Sequence, residues 1–112
     1  MDKLAHYRKI VRDVLTPIAE RPYSIPSLTH EAVFDEDRDR YLILTIAPQT
    51  NVQRIHHCLI HLDIIDGKIG VQRDGTEDGL AYDLEDAGVP KSDIVLAFHS
   101  KEVRPHTGYA VT

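Results

Sequence analysis

The chain has 112 residues, with 13 basic and 18 acidic side chains and a formal net charge of -5. A chain of this length buries roughly two thirds of its unfolded surface, so its core needs neither disulfides nor a metal. An acidic balance opposes approach to DNA. We expect one domain over residues 1–112 and no direct nucleic-acid binding.

Cysteine usage and hydropathy indicate the cytoplasm. The single cysteine, Cys58, falls on the apolar side of a predicted strand, which suits a buried, unreactive thiol in a reducing compartment. No run reaches the roughly 18 to 20 apolar residues of a membrane span, and the first residues lack the apolar core of a signal peptide. We expect a cytoplasmic protein with no membrane contact.

An amphipathic helix is predicted at the start of the chain. Asp2 is a suitable N-cap, and the apolar residues that follow fall within an arc of about 140° at 100° per residue. These residues are Leu4, Tyr7, Ile10, Val11, Val14, Leu15 and Ile18. The helix should end near Pro17 or slightly beyond, because two further prolines follow and the residue before a proline avoids helical angles.

Two strands are predicted next, from Thr29 to Phe34 and from Tyr41 to Ala47, where β-branched and aromatic residues are frequent. They form a hairpin around the charged loop DEDRDR. Mixed charges beside a turn are typical of a solvated loop tip, although a docking site is the other reading. Pro48 closes the second strand.

A second hairpin occupies the centre of the chain. Apolar side chains at Cys58, Ile60, Leu62 and Ile64 alternate with polar ones at His57, His61 and Asp63, which is the period of a strand. Asp66-Gly67 then favours a two-residue type I′ turn. Counting outward from this turn gives the expected cross-strand pairs Ile65–Lys68, Ile64–Ile69, Leu62–Val71 and His61–Gln72.

The last third of the chain predicts a helix and two strands. Thr76 can cap a helix whose first turn holds Glu77 and Asp78, and Gly88 followed by Pro90 ends it near Ala87. Ile94 to Phe98 and Tyr109 to Val111 suit strands. The fold class is therefore α+β, with an antiparallel sheet of two hairpins plus the C-terminal strands and two helices on one face.

The histidines of the central strand suggest a metal site, which the geometry of a strand weakens. At roughly 3.3 Å per residue, His57 and His61 lie about 13 Å apart, and His56 points to the other face. Only His61 and Asp63 are placed to share an ion. We expect no metal and no cofactor, and no catalytic residue can be singled out, because the sequence shows no acid–base pair, triad or activated cysteine.

Several ordered segments together resemble the XisI family, the fdxN element excision controlling factors of cyanobacteria. They are FDEDRDRY, HHCLIHLDIIDGKIGVQRDGTEDGLAYDLEDAGVPKSDIVLAFHS and RPHTGYAVT, which cover nearly the whole chain. Two positions depart from the family pattern. Gly70 stands where an aromatic usually follows DGKI, and Ala47-Pro48 stands where Gly-Trp is common, so we do not expect a surface built from those aromatics.

The resemblance implies an accessory role in programmed excision of a DNA element. It also implies two partners, a site-specific recombinase of the XisF type and a companion XisH-like protein. The family supplies no established catalytic residues. The resemblance and the acidic composition therefore both favour a binding module, with an XisH-like protein or a second copy of the chain as the docking partner.

The best candidate for a docking surface is the polar face of the central hairpin, which mixes polar and apolar side chains as non-obligate interfaces do. Its residues are His57, Leu59, His61, Asp63 and Gln72, with a cationic rim of Arg73, His99 and Arg104. Two other readings remain open. The face is either simply solvated, or it belongs to a small metal-dependent hydrolase or nuclease subunit.

Overall fold

The computed structural model describes residues 2–21, 28–47, 55–76 and 79–112. The elements, in chain order, are α1 (Lys3–Glu20), β1 (Thr29–Asp35), β2 (Arg40–Ala47), β3 (Ile55–Ile65), β4 (Lys68–Asp74), α2 (Leu80–Asp86) and β5 (Ile94–Val95). The strands form one sheet in the order β1-β2-β3-β4-β5. The α+β class and the two predicted hairpins are confirmed.

The sheet is mixed, which corrects the expectation of an antiparallel one. β1 to β4 pair antiparallel, whereas β5 pairs parallel with β4. The reason is the connection, because the chain crosses through α2 after β4 and returns in the same direction. A wholly antiparallel sheet would require a hairpin at that point.

Helix α1 follows its predicted pattern. The Asp2 carboxylate accepts a hydrogen bond from the Leu4 amide at 3.0 Å, and the helix passes Pro17 to end at Glu20. Its buried side chains are Tyr7, Ile10, Val11, Leu15 and Ile18. Among the described residues, no helix is long and apolar enough to cross a membrane.

One face of the sheet, here called the covered face, packs beneath both helices. Its side chains Tyr41, Ile43, Ile60, Leu62, Ile64, Ile69 and Val71 join the helix residues in a single hydrophobic cluster. Each is at most 6% exposed. In the described part of the chain, neither α1 nor α2 packs on the opposite side of the sheet, which is called the open face.

The β3–β4 hairpin turns at Asp66 and Gly67, whose φ angles of 52° and 75° fit a type I′ turn. The predicted pairs Ile65–Lys68, Ile64–Ile69 and Leu62–Val71 are confirmed. The expected His61–Gln72 pair is wrong. His61 lies opposite Arg73, because a β-bulge inserts Gln72 as an extra residue of β4.

A second bulge lies between β2 and β3. Ile43 pairs with Ile60 but Leu44 pairs with Cys58, so Leu59 is the extra residue. The bulge reverses which face the preceding residues occupy. Cys58 therefore lies opposite Leu44 on the other face of the sheet from the Ile60 side chain. This corrects its expected place on the apolar side.

The same bulge separates the two histidines that the alternating pattern placed together. His57 lies opposite Thr45, whereas His61 lies opposite Leu42. Thr45 and Leu42 are three residues apart on β2, where buried and half-buried side chains alternate regularly. His57 and His61 consequently belong to opposite faces, and the predicted common face was wrong for His57.

Helix α2 begins later than predicted and ends where predicted. Leu80 is its first residue, and the Asp74 carboxylate accepts from the Leu80 amide at 2.7 Å in place of the expected Thr76 cap. Glu77 and Asp78 lie outside the described residues, as does Pro48. At the other end, Gly88 has a φ of 109°, and its amide and that of Val89 satisfy the last carbonyls of the helix.

The two C-terminal strands are shorter than predicted. Only Ile94 and Val95 form a strand, and Ala110 makes a single bridge to Val95. The Arg104 guanidinium donates to the carbonyls of Ala97 at 2.9 Å and His99 at 3.0 Å. These bonds hold the chain in turns where the apolar pattern predicted an extended strand.

The charged DEDRDR loop is tied to the rest of the domain through Asp39. Its carboxylate accepts from Arg8 of α1 at 2.8 Å and from the Tyr41 hydroxyl at 3.0 Å, and its carbonyl accepts from the Ile64 amide at 3.1 Å. The Arg8 hydrogen bond holds the pKa of Asp39 below its usual range. The loop therefore joins α1 to both hairpins, and the reading of a purely solvated tip was incomplete.

We predict that Leu62→Asp prevents folding, because it buries a charge at a fully enclosed position of the covered face. The expected loss exceeds about 4 kcal/mol, which is exceptional for one substitution. His61→Ala, the neighbour on the open face, should cost far less. Thermal melts of both variants check the face assignment, and equal damage would contradict it.

We also predict that stability falls steeply at alkaline pH. Burial and a hydrogen bond to a carboxylate raise the pKa of Tyr7 and of Tyr41 to about 12, against about 10 for an unfolded tyrosine. The neutral hydroxyls therefore stabilise the fold fully below about pH 10, and that contribution is lost as the pH rises toward 12. Melting temperatures measured across this range should fall less steeply for a Tyr7→Phe, Tyr41→Phe double variant. An unchanged slope would contradict this origin.

Candidate functional site

A cleft of about 320 Å³ opens on the open face, where the β3–β4 hairpin meets the C-terminal segment. The hairpin contributes Asp63, Ile65, Asp66, Lys68, Gly70 and Gln72, and the later part of the chain contributes Val95, Ala97, Arg104 and Thr112. Two acidic and two basic side chains therefore line a site that also has an apolar wall. Clefts with this mixture of polar and apolar lining are the usual place for binding.

Asp63 is the most unusual group in the cleft, because this acidic residue is only 4% exposed. Oδ2 accepts a hydrogen bond from the Gln72 amide nitrogen at 3.0 Å. Oδ1 is buried and has no hydrogen-bond partner in the described part of the chain. A buried acceptor without a partner costs on the order of 1 to 3 kcal/mol, so this oxygen favours an incoming donor.

Gly70 lies directly opposite Asp63 and leaves room for that carboxylate. A Cβ atom at position 70 would come well within 3.0 Å of Asp63 Oδ1, which real Cβ atoms essentially never do. A side chain at Gly70 is therefore excluded while Asp63 keeps this rotamer. A glycine inside a strand often marks such a close approach, and this was the available signal in the sequence.

The bulge in β4 places Gln72 against Asp63. As the extra residue, Gln72 has no directly opposed residue on β3, and its amide reaches along the open face to the Asp63 carboxylate. Regular pairing would have placed Gln72 opposite His61. The alternating sequence pattern contains no sign of this shift, because a bulge changes register without changing composition.

Both cations of the cleft are held by backbone carbonyls. Arg104 donates to Ala97 and His99, and the Lys68 ammonium donates to the Thr112 carbonyl at 2.5 Å. These hydrogen bonds fix the C-terminal segment beside the hairpin. Arg104 and Lys68 therefore build one wall of the cleft.

The structure brings together only part of the predicted docking surface. Asp63, Gln72 and Arg104 meet in the cleft, as the sequence interpretation requires of a common site. Lys68 and Gly70 were missed, the first because lysines on strands are usually solvated. His57 is exposed on the opposite face and does not join them.

The remaining predicted residues do not line the cleft. His61 is half-buried, and its Nε2 is enclosed without a hydrogen-bond partner among the described residues. Arg73 donates to the Cys58 carbonyl at 2.7 Å, and Leu59 packs partly against the core at its bulge. The His99 ring lies 4.5 Å from that of Phe98, centroid to centroid. Arg73 is thus held against the backbone of β3.

The side chains of the site do not form a metal centre or a nucleophile. Within residues 2–21, 28–47, 55–76 and 79–112, no group of three or more His, Cys, Asp or Glu side chains is close enough to hold an ion. Burial raises the pKa of the Cys58 thiol, whose sulfur donates to the Ile60 carbonyl at 3.1 Å. A thiol of raised pKa is a poor nucleophile.

Fold and site together define a one-sheet α+β domain that has helices on one face and a cleft of mixed charge on the other. Residues 1–111 match the XisI protein family, and the chain belongs to that family. The family resemblance and the α+β class expected from the sequence are therefore confirmed.

Two solved structures support the assignment. A XisI-like protein from Anabaena variabilis ATCC 29413 shares 34% identity with a TM-score of 0.89, over 97% of this chain and 99% of that one. The fdxN element excision controlling factor XisI from the same organism shares 31% identity with a TM-score of 0.86, over 99% of this chain and 100% of that one. Among curated protein sequences, no significant match is found.

We predict that Gly70→Ala destabilises the domain by about 1 to 3 kcal/mol, because the added methyl group collides with the Asp63 carboxylate. In an Asp63→Ala background the same substitution should cost much less, since the colliding oxygens are gone. Chemical denaturation of the four proteins in this cycle measures the coupling. Equal costs in the two backgrounds would show that the carboxylate does not occupy the space above Gly70.

Proposed function

We propose that this protein is an accessory factor in programmed excision of a DNA element and that it acts by binding another protein through its open face. Membership of the XisI family supports the first part, together with the similarity to a protein described as an excision controlling factor. The second part rests on the surface of the sheet. No chemical step by this chain is included in the proposal.

The open face is the proposed interface because, among the described residues, neither α1 nor α2 packs over its apolar side chains. Leu42, Leu44 and Ile46 of β2 are half-buried, and Val33 and Ile65 are 44% and 50% exposed. The pairs Val33–Leu42 and Leu42–His61 place these side chains in a continuous row across three strands. Aliphatic side chains interleaved with polar ones are typical of non-obligate protein interfaces.

Charge favours a protein partner over DNA. The net charge of -5 opposes approach to a duplex, and two carboxylates in the cleft offset its two cations. We infer that the partner is a XisH-like companion and that a recombinase of the XisF type acts in the same process. Docking of a second copy of the chain is the other outcome of the test below. The proposed contact residues are now His61, Asp63, Gln72, Arg73, His99 and Arg104. His57 is removed because it lies on the other face, and Leu59 because it packs against the core.

The test is co-expression with a XisH-like protein, followed by co-purification and size measurement by light scattering. A Val33→Glu, Ile65→Glu double variant should weaken the complex at least tenfold, because it places two charges among exposed apolar positions of the open face. Tyr82→Glu is the matched control, since Tyr82 is 65% exposed on α2, which packs on the covered face. Undiminished binding by the double variant would show that the open face is not the interface.

A gel shift on DNA from the element ends tests the other half of the proposal. This chain alone should leave the DNA unshifted at physiological salt, and any shift should require the partner. Tight binding by the chain alone that weakens steeply with salt would overturn the assignment of a protein-docking role, because that dependence identifies contacts to phosphates.

A further inference from the structure

We infer that the cleft on the open face is a receptor for an arginine side chain of the protein partner, with Asp63 as its anchoring carboxylate. The inference rests on the proposed function, which supplies a protein at this face, and adds the chemistry of the contact. It follows from one buried carboxylate oxygen that has no hydrogen-bond donor in the described part of the chain.

The free oxygen of Asp63 occupies the space that the missing side chain of Gly70 leaves. Oδ2 is engaged by Gln72, whereas Oδ1 is buried, unpaired and directly above the position where a Cβ of residue 70 would lie. Both Asp63 and Gly70 line the cleft, so the Asp63 side chain borders the space that a ligand would occupy. The group still missing is a hydrogen-bond donor.

A cationic donor fits better than an anion. Arg104 and Lys68 are held against backbone carbonyls, whereas the buried Asp63 oxygen has no donor of its own. An anion entering the cleft would meet the carboxylates of Asp63 and Asp66. A charged donor on a buried carboxylate forms a hydrogen bond roughly twice as strong as a neutral one.

The apolar wall distinguishes an arginine side chain from a free small cation. Ile65, Val95 and Ala97 line the cleft beside the polar groups, and they can cover the aliphatic part of a long side chain. A volume of about 320 Å³ admits one such side chain. Guanidinium is preferred to ammonium because its planar donors match carboxylate geometry and it is more weakly hydrated.

The experiment is an NMR titration of the isotope-labelled full chain with N-acetyl-arginine methylamide as the probe. Saturable shifts are expected at the amides of Asp63, Gly70 and Gln72. The citrulline analogue, which has the same shape and no charge, should bind at least tenfold more weakly, and the N-acetyl-glutamate analogue should leave these amides unmoved.

Two variants locate the site. Asp63→Asn keeps the shape of the side chain and should reduce arginine binding at least tenfold, with a thermal melt to confirm that it folds. Ala97→Leu fills the apolar side of the cleft without touching Asp63 and should also block the probe, which keeps the test decisive if the first variant does not fold. Absence of saturable shifts, equal binding of citrulline or arginine binding undiminished in either folded variant would overturn the inference.

The co-purification experiment separates this inference from the proposed function. A complex that forms normally with Asp63→Asn, in a protein that does not bind the arginine probe, would refute the arginine receptor and leave protein docking intact. Arginine binding at the cleft of a chain that forms no complex would refute protein docking and leave the arginine site intact. Shifts with the glutamate probe would instead identify an anion site built on Arg104 and Lys68.

Discussion

The fold depends on the register in which Leu62 of β3 faces Val71 of β4 beneath the two helices. Both side chains are fully buried, as are the neighbouring covered-face residues Ile60 and Ile69. Because side chains alternate along a strand, a slip of one residue would turn this whole set toward solvent. The tight Asp66-Gly67 turn fixes the register at one end, and burial of the apolar face maintains it along the strands.

The open face is shaped by the places where that register breaks. The extra residue Gln72 interrupts the pairing of β3 with β4, and the extra residue Leu59 interrupts that of β2 with β3. The first bulge turns an amide toward Asp63, and the second moves His57 to the other face. The site therefore lies next to a packed core that tolerates no shift, while its own geometry comes from two local departures from regular pairing.

Local signals in the sequence predicted most of the fold. The Asp2 cap, the apolar arc of α1, the Asp66-Gly67 turn and the Gly88 stop are each determined by a few adjacent residues, and each is found in the structure. The short β5 and the turns after it were not predictable in this way. They depend on Arg104 reaching carbonyls five and seven residues earlier, which no periodic pattern encodes.

The candidate site was also predictable only in part, because residue type is visible in the sequence and tertiary contacts are not. Asp63, Gln72 and Arg104 were selected by residue type, and tertiary structure brings them together. The positions that the sequence misjudged, His57 and Gly70, are those where a bulge or a close approach overrides alternation. Family membership gave the functional class, whereas the unpaired Asp63 oxygen is visible only once the backbone of β4 is placed against β3.

The short strand β5 gives one wall of the cleft few regular strand pairs. Only two residues of β5 pair with β4, and the segment beyond them is held by the amides of Phe98 and Ala110 and by the side chains of Arg104 and Lys68 on carbonyl groups. Segments with few backbone bonds open locally at a free energy well below that of global unfolding. Any ligand that spans Asp63 and Ala97 stabilises the closed form of this wall by mass action. Occupancy of the cleft and amide hydrogen exchange of the last seventeen residues are then two measures of one equilibrium.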